Sequence, residues 1–223
     1  MARWSAVSIL VLALLAGCGG STTVKREPSV QVGAGEGTAT PASDTGPGGA
    51  ASAVRIAVVT HGQASSPFWT IVRTGVQAAA RQMDAQVDYQ APDVYSLPKM
   101  KELVARAVAA KPDGLVVSLP EPGLAPAVRA AVKAGIPVVS INSGSDEYKA
   151  LGVLAHVGQP EGRAGEAAGK RLAKAGVRHA LCVNQQVGNQ GLDARCAGLA
   201  RAMRAVGGTS RVLGVDDQSS STP

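Results

Sequence analysis

Aromatic residues are scarce: one Phe, two Trp and three Tyr make up only 3% of the 223 residues. Nor is there any basic run or base-stacking motif. The net charge of +6 is scattered over residues such as Arg129, Lys133, Lys170 and Arg171, on predicted helices. Such scatter describes a solvated helix surface rather than a nucleic-acid footprint, so no nucleic-acid partner is expected. No GxGxxG follows the first predicted strand, and neither a Walker loop nor a GxSxG elbow occurs. His61, His156 and His179 have no Ser or Cys nucleophile at a recognisable spacing, and His61 has no Cys or carboxylate at metal spacing. The reading is therefore no enzyme, no metal and no cofactor. No apolar run reaches the roughly 20 residues of a membrane-spanning helix.

What is present begins with an address. Arg3, the apolar run Ala6–Leu15 and the small residues Ala16 and Gly17 before Cys18 have the form of a secretory signal over residues 1–17. Leu15-Ala16-Gly17-Cys18 also resembles the lipobox of bacterial lipoproteins, which implies cleavage before Cys18 and lipid on its thiol. Residues 18–53 are rich in Gly, Ser, Thr, Ala and Pro without hydrophobic period. They read as a disordered tether spanning about 30–35 Å. Export leaves Cys182 and Cys196 where disulfides persist. Two readings stay open for them: a bridge closing a 13-residue loop, contributing about 3 kcal/mol, or two thiols that never meet.

From Val54 onward apolar runs and amphipathic segments alternate. Strands are predicted over Val54–Thr60, Gln86–Gln90, Gly114–Leu119, Ile136–Ile141, Leu151–Val157, Arg178–Asn184 and Arg211–Val215. Helices are predicted from Pro67, Leu97, Ala125, Glu161 and Leu192. This order predicts an α/β fold of two doubly wound parallel-sheet lobes. The boundary is set near His156–Gly158, giving an N-terminal lobe over 54–156 and a partial C-terminal lobe over 157–223. The reason is that the fifth strand opens a new βα series.

In such sheets ligands gather at the carboxyl ends of the strands. After the first strand come His61, Phe68 and Trp69; flat rings suit the C–H faces of a sugar, and the indole N–H can donate. Either ring could instead pack its helix on the sheet, and His61 could hold its loop rather than a ligand. Glu121, after the third strand, reads as an exposed turn carboxylate. Asn142, after the fourth, offers donors and an acceptor at a strand tip, with an Asx turn as its rival. Asp193 and Arg195 lie in the first turns of the helix after the sixth strand, where the helix dipole favours Asp193 with or without a ligand.

Four segments carry a resemblance: the first strand with HGQASSPFW, KPDGLVVSLP, AGIPVVSINSGS, and LGVLAHVGQPEGRAGEAAGKRL. With CVNQQVGNQGLDARCAGLARAM, they resemble the periplasmic sugar-binding proteins of ABC importers, in the ribose-binding and LacI-effector-like group. The resemblance implies two lobes closing on a sugar, delivery to a permease, and no catalysis. A sensory or signalling binder of the same fold, for an autoinducer or a chemoreceptor, is the alternative. By position, Phe68 and Trp69 fall where the family stacks its sugar, and Asn142 where it bonds hydroxyls. Asp193 falls near a position often held by Arg in ribose binders, which speaks against ribose. His156, Val157 and Gly158 fall at the first interlobe crossing, a hinge. The family runs on well beyond Pro223, so the chain reads as truncated and as binding its ligand weakly or not at all. Expected location is the periplasm or cell surface, anchored through Cys18.

Overall fold

The computed structural model describes residues 53–63 and 66–215. The signal segment, Cys18 and all of the tether but Ala53 lie outside the described residues.

The described residues form seven strands and five helices, in the order β1 (Arg55–Val59), α1 (Pro67–Gln82), β2 (Gln86–Gln90), α2 (Leu97–Ala109), β3 (Gly114–Ser118), α3 (Ala125–Lys133), β4 (Val138–Ile141), β5 (Ala155–Val157), α4 (Glu161–Lys174), β6 (His179–Asn184), α5 (Gln190–Arg204) and β7 (Thr209–Gly214). The first sheet is parallel in the order β2-β1-β3-β4-β5, and β6 pairs parallel with β7 in a second. Alternation along β1 sends Ala57 and Val59 into the main core, where α2 (Met100, Leu103, Val104) and α3 (Val128, Ala131) meet β3 and β4. Pro67 and Pro98 sit in first turns, where a missing N–H costs nothing, and the Ser96 hydroxyl accepts from the Lys99 N–H to start α2.

The fold class follows the sequence reading, with three differences. The fifth strand does not open a second series: Val139 pairs with Ala155 and Ile141 with Val157, so β5 is the edge of the first sheet. It is also shorter than predicted. Leu151 ends a 3-10 turn, and Gly152 at φ 78° turns the chain left-handed before extension resumes. Finally, α5 starts at Gln190 rather than Leu192, because Asn189 Oδ1 accepts from the Gly191 and Leu192 N–H groups.

The second sheet is held to its helices on one side. Cys182 of β6 and Cys196 of α5 are joined by a disulfide, their Cα atoms 5.6 Å apart. Leu181 and Val183 of β6 and Leu213 of β7 are exposed. Helices α4 and α5 approach to backbone contact. A Cβ on Gly198 would fall 2.1 Å from the Gly162 carbonyl oxygen, and one on Gly169 would fall 2.6 Å from Ala202 Cβ. Glycine is required along this seam because any side chain would force the helices apart.

Candidate functional site

Strand order reverses between β1 and β3, so the loops leaving them diverge and leave a crevice at their carboxyl ends. A cavity of about 240 Å³ occupies that place, walled on the other side by the start of α4 and the β6–α5 loop.

His61 follows β1 and is 6% exposed. Its Nε2 lies 3.4 Å from Asn189 Nδ2. The Asn189 amide is oriented by its Oδ1, which accepts two backbone N–H groups, so Nδ2 donates and His61 Nε2 accepts. The ring proton therefore sits on Nδ1 and is donated to Ser118 Oγ at 2.8 Å. Burial pushes the imidazole pKa down to about 3, so the ring is neutral. His61 thus fixes its loop through Ser118 and forms part of the cavity wall.

A Ser–His pair within hydrogen-bond reach invites a catalytic reading, and the geometry argues against it. Ser118 is fully buried, its Oγ also accepts the His61 backbone N–H, and it lies off the cavity wall. A histidine that protonates only near pH 3 is a poor general base at neutral pH. The second such pair, Ser140 and His156 at 2.9 Å, has an equally buried serine.

Phe68 and Trp69 both line the cavity but differ in role. Trp69 is 7% exposed, edge-on to His61 at 4.9 Å, and so close over Gly62 that a Cβ there would fall 1.6 Å from Trp69 Nε1. Phe68 is 54% exposed and stands perpendicular to Trp69 at 5.2 Å. Trp69 therefore builds the wall and Phe68 offers the open ring.

Asn142 follows β4 at φ 62°, a left-handed conformation that Asn tolerates better than most residues. Its Oδ1 accepts from Ser143 Oγ at 2.9 Å, leaving Nδ2 without a partner among the described residues. Glu121 lies off the cavity wall and accepts from Tyr95 OH. His156 and Val157 are the last residues of β5, paired with Ser140 and Ile141, and Gly158 leads towards α4.

Asp193 is a correction. Its Oδ1 accepts from Asn184 Nδ2 at 2.7 Å, off the cavity wall, which tethers α5 to the end of β6. Gly191, Leu192 and Arg195 form the cavity face of α5. Arg195 lies two positions from Asp193, and i,i+2 residues on a helix point apart.

The sequence reading also left out Glu161, Ser143, Gln185, Gln186 and Asn189, and gave Arg195 no role. Glu161 is nearly buried at the start of α4 and accepts from Arg195 Nε at 2.6 Å and from Gln159 Nε2 at 3.0 and 3.1 Å. The bond to Glu161 raises the Arg195 pKa, keeping the guanidinium charged. Its two Nη groups make no hydrogen bond among the described residues. The glycine seam is what brings Glu161 and Arg195 together, and the spacing of Gly162, Gly165 and Gly169 in α4 was the available signal. Glu161 and Arg195 are the formally charged members of the wall and are paired, so the cavity is neutral and dense in amide donors and acceptors.

Residues 56–221 match the periplasmic binding protein domain family. The fold is shared with a carbohydrate transporter from Acidothermus cellulolyticus 11B, solved in complex with myo-inositol. That protein is 39% identical, with a TM-score of 0.69 over 74% of this chain and 57% of that one. A periplasmic ribose ABC transporter from Conexibacter woesei is 25% identical, with a TM-score of 0.60 over 76% of this chain and 56% of that one. A periplasmic sugar-binding protein from Legionella pneumophila, at 23% identity and a TM-score of 0.68 over 73% and 61%, shares the fold. No curated protein matches the chain closely enough to add to these. The chain thus spans less than two thirds of the length of these structures. By the extent of the domain match and by the 39% identity, it belongs to the periplasmic binding protein domain family.

Proposed function

We propose that this protein is the solute-binding component of an ABC-type importer, and that its solute is one neutral ring bearing several hydroxyls, a cyclic polyol or a monosaccharide. The carrying observation is the wall itself. It presents one exposed aromatic face, Phe68, opposite amide groups and a guanidinium whose charge is already balanced by Glu161. A ring with hydroxyls at its rim and C–H faces above and below uses both kinds of surface. An anionic solute would have only a neutralised Arg195 to pair with, and a cationic one only a carboxylate already holding three hydrogen bonds. At about 240 Å³ the cavity lies below the range of about 300–1,000 Å³ usual for drug-sized ligands, which favours a single small ring. The myo-inositol bound by the 39% identical relative is the first solute to try.

On this reading the protein is exported, held to a membrane by lipid on Cys18, and bends at His156–Gly158. Closure would let a permease distinguish the loaded form. Calorimetry on the full chain with myo-inositol, ribose, allose and glucuronate tests the proposal. Binding to a neutral member with 1:1 stoichiometry, and none to glucuronate, is the expected result. Saturable binding of glucuronate alone would overturn it.

A further inference from the structure

Cations that lie scattered along the sequence are gathered by the fold. Residues 157–215 carry nine Lys and Arg against three Asp and Glu, a net charge of +6, whereas residues 54–156 carry ten against eight. Arg163, Lys170 and Lys174 of α4 and Arg201 of α5 are all exposed. Glu166 stands among them. It pairs with Lys170 at 2.6 Å, and Lys170, Arg201 and Arg163 hold its carboxyl below the usual range. Lys170, Lys174 and Arg201 border an open groove of about 520 Å³, whose apolar lining is Ala173, Ala202, Ala205 and Val206. The small lining follows from the glycine seam, where Gly169 meets Ala202. Glu161 begins α4 in the cavity wall and Lys174 ends it, about 20 Å away by helical rise. The basic groove therefore lies at the far end of the helix pair from the cavity.

We infer that this face rests on the anionic lipid surface of the membrane that holds the protein, and so orients the domain there. Its charge is complementary to such a surface, and Val206, 43% exposed beside the cations, gives the apolar contact that a headgroup layer accepts. The inference rests on the reading of Cys18 as lipidated, because the tether expected over residues 18–53 reaches about 30–35 Å and keeps that surface within range. A contact too weak to hold a free protein is sufficient once the partner is tethered nearby. Lipid at this end leaves the cavity wall uncovered.

Cations in the last turns of α4 and α5 also complement the helix dipoles, and two variants of equal charge separate that role from docking. Lys170→Gln/Lys174→Gln/Arg201→Gln strips the groove. Arg81→Gln/Lys101→Gln/Lys133→Gln removes the same charge from exposed positions of the N-terminal lobe.

The mature chain from residue 18, with Cys18→Ser so that it carries no lipid, is sedimented at low salt with two kinds of vesicle. One holds phosphatidylglycerol in phosphatidylcholine, the other phosphatidylcholine alone. The parent is expected to bind only the first, and about 1 M salt, with a Debye length of about 3 Å, should release it. Each cation near such a surface contributes about fivefold to the partition. The groove variant should therefore lose at least about tenfold, and the N-terminal-lobe variant less than about threefold. Equal losses in the two variants overturn the inference. So does a parent that ignores phosphatidylglycerol, which would leave an acidic protein surface as the occupant. A dipole role alone lowers the melting temperature of the groove variant without the tenfold loss, and also overturns it. No solute enters the measurement. A chain that ranks the variants as expected yet binds no polyol refutes the proposed solute and leaves the lipid-facing groove standing.

Discussion

The Arg195 carbonyl oxygen lies 1.8 Å from where a Cβ on Gly165 would stand. No side chain can share that space, so α4 and α5 can cross this closely only while residue 165 is glycine. The crossing is what sets Glu161 beside Arg195 in the wall. Gly165→Ala is expected to destabilise the chain by about 3 kcal/mol, since the obstacle is backbone. Gly75→Ala, in α1 with nothing within 4 Å, is expected instead to stabilise by about 0.5–1 kcal/mol. Urea unfolding of both variants checks the pair; equal effects would contradict the seam.

Acid should weaken the fold through His61. Its pKa is near 3 when folded and near 6.5 when unfolded, so the unfolded chain binds the extra proton between those values. The stability from burying a neutral ring is therefore whole above pH 6.5 and falls by about 1.4 kcal/mol per unit as pH drops towards 3. His156, whose pKa burial also lowers, acts in the same sense. The groups around His61 are Ser118, Trp69, Tyr95 and Asn189, with Glu121 behind Tyr95. At pH 5 the His61 share is about 2 kcal/mol. Unfolding free energies of the parent and His61→Asn, from denaturant titrations at pH 7 and 5, should converge by that amount as pH falls.

The two adjacent aromatics should separate stability from binding. Trp69→Ala empties the wall over Gly62 and is expected to lose about 3–4 kcal/mol of stability. Phe68→Ala removes an exposed ring and should change stability by less than about 1 kcal/mol. It should also weaken binding of a cyclic polyol about tenfold. Melting curves and calorimetry on the same preparations decide it, and a Phe68→Ala protein with undiminished affinity would remove the stacking role.

Reducing the Cys182–Cys196 bond should lower stability by about 3 kcal/mol, the entropy of the loop it closes. The bond fixes α5 to β6 next to Arg195, so reduction should also weaken solute binding. Thermal melts with and without reductant, against a Cys182→Ser/Cys196→Ser chain insensitive to it, provide the check.

The legible part of the molecule was the part with a short-range signal. Apolar runs such as Gly114–Leu119 and amphipathic segments such as Leu97–Ala110 announced an alternating fold, and the loops after parallel strands announced where the cavity lies. His61, Phe68, Trp69 and Asn142 were named on that ground, and all four line the cavity. Asp193 was named on position alone, and the helix turned it towards Asn184. Glu161 and Arg195 were not paired, because they lie 34 residues apart in sequence. The fifth strand was read as opening a new βα series and instead pairs with β4, because strand pairing is not written in one strand's composition.

By itself, the order of apolar and polar residues determined an α/β chain with strand-tip loops rich in hydrogen-bonding side chains, since burial and helical periodicity act over a few neighbours. Only the tertiary structure decided that His61 is held neutral, that Trp69 is wall and Phe68 is surface, and that Arg195 faces the cavity already paired. Those outcomes depend on desolvation and on the angle at which two glycine-lined helices cross, and both are set by residues distant in sequence.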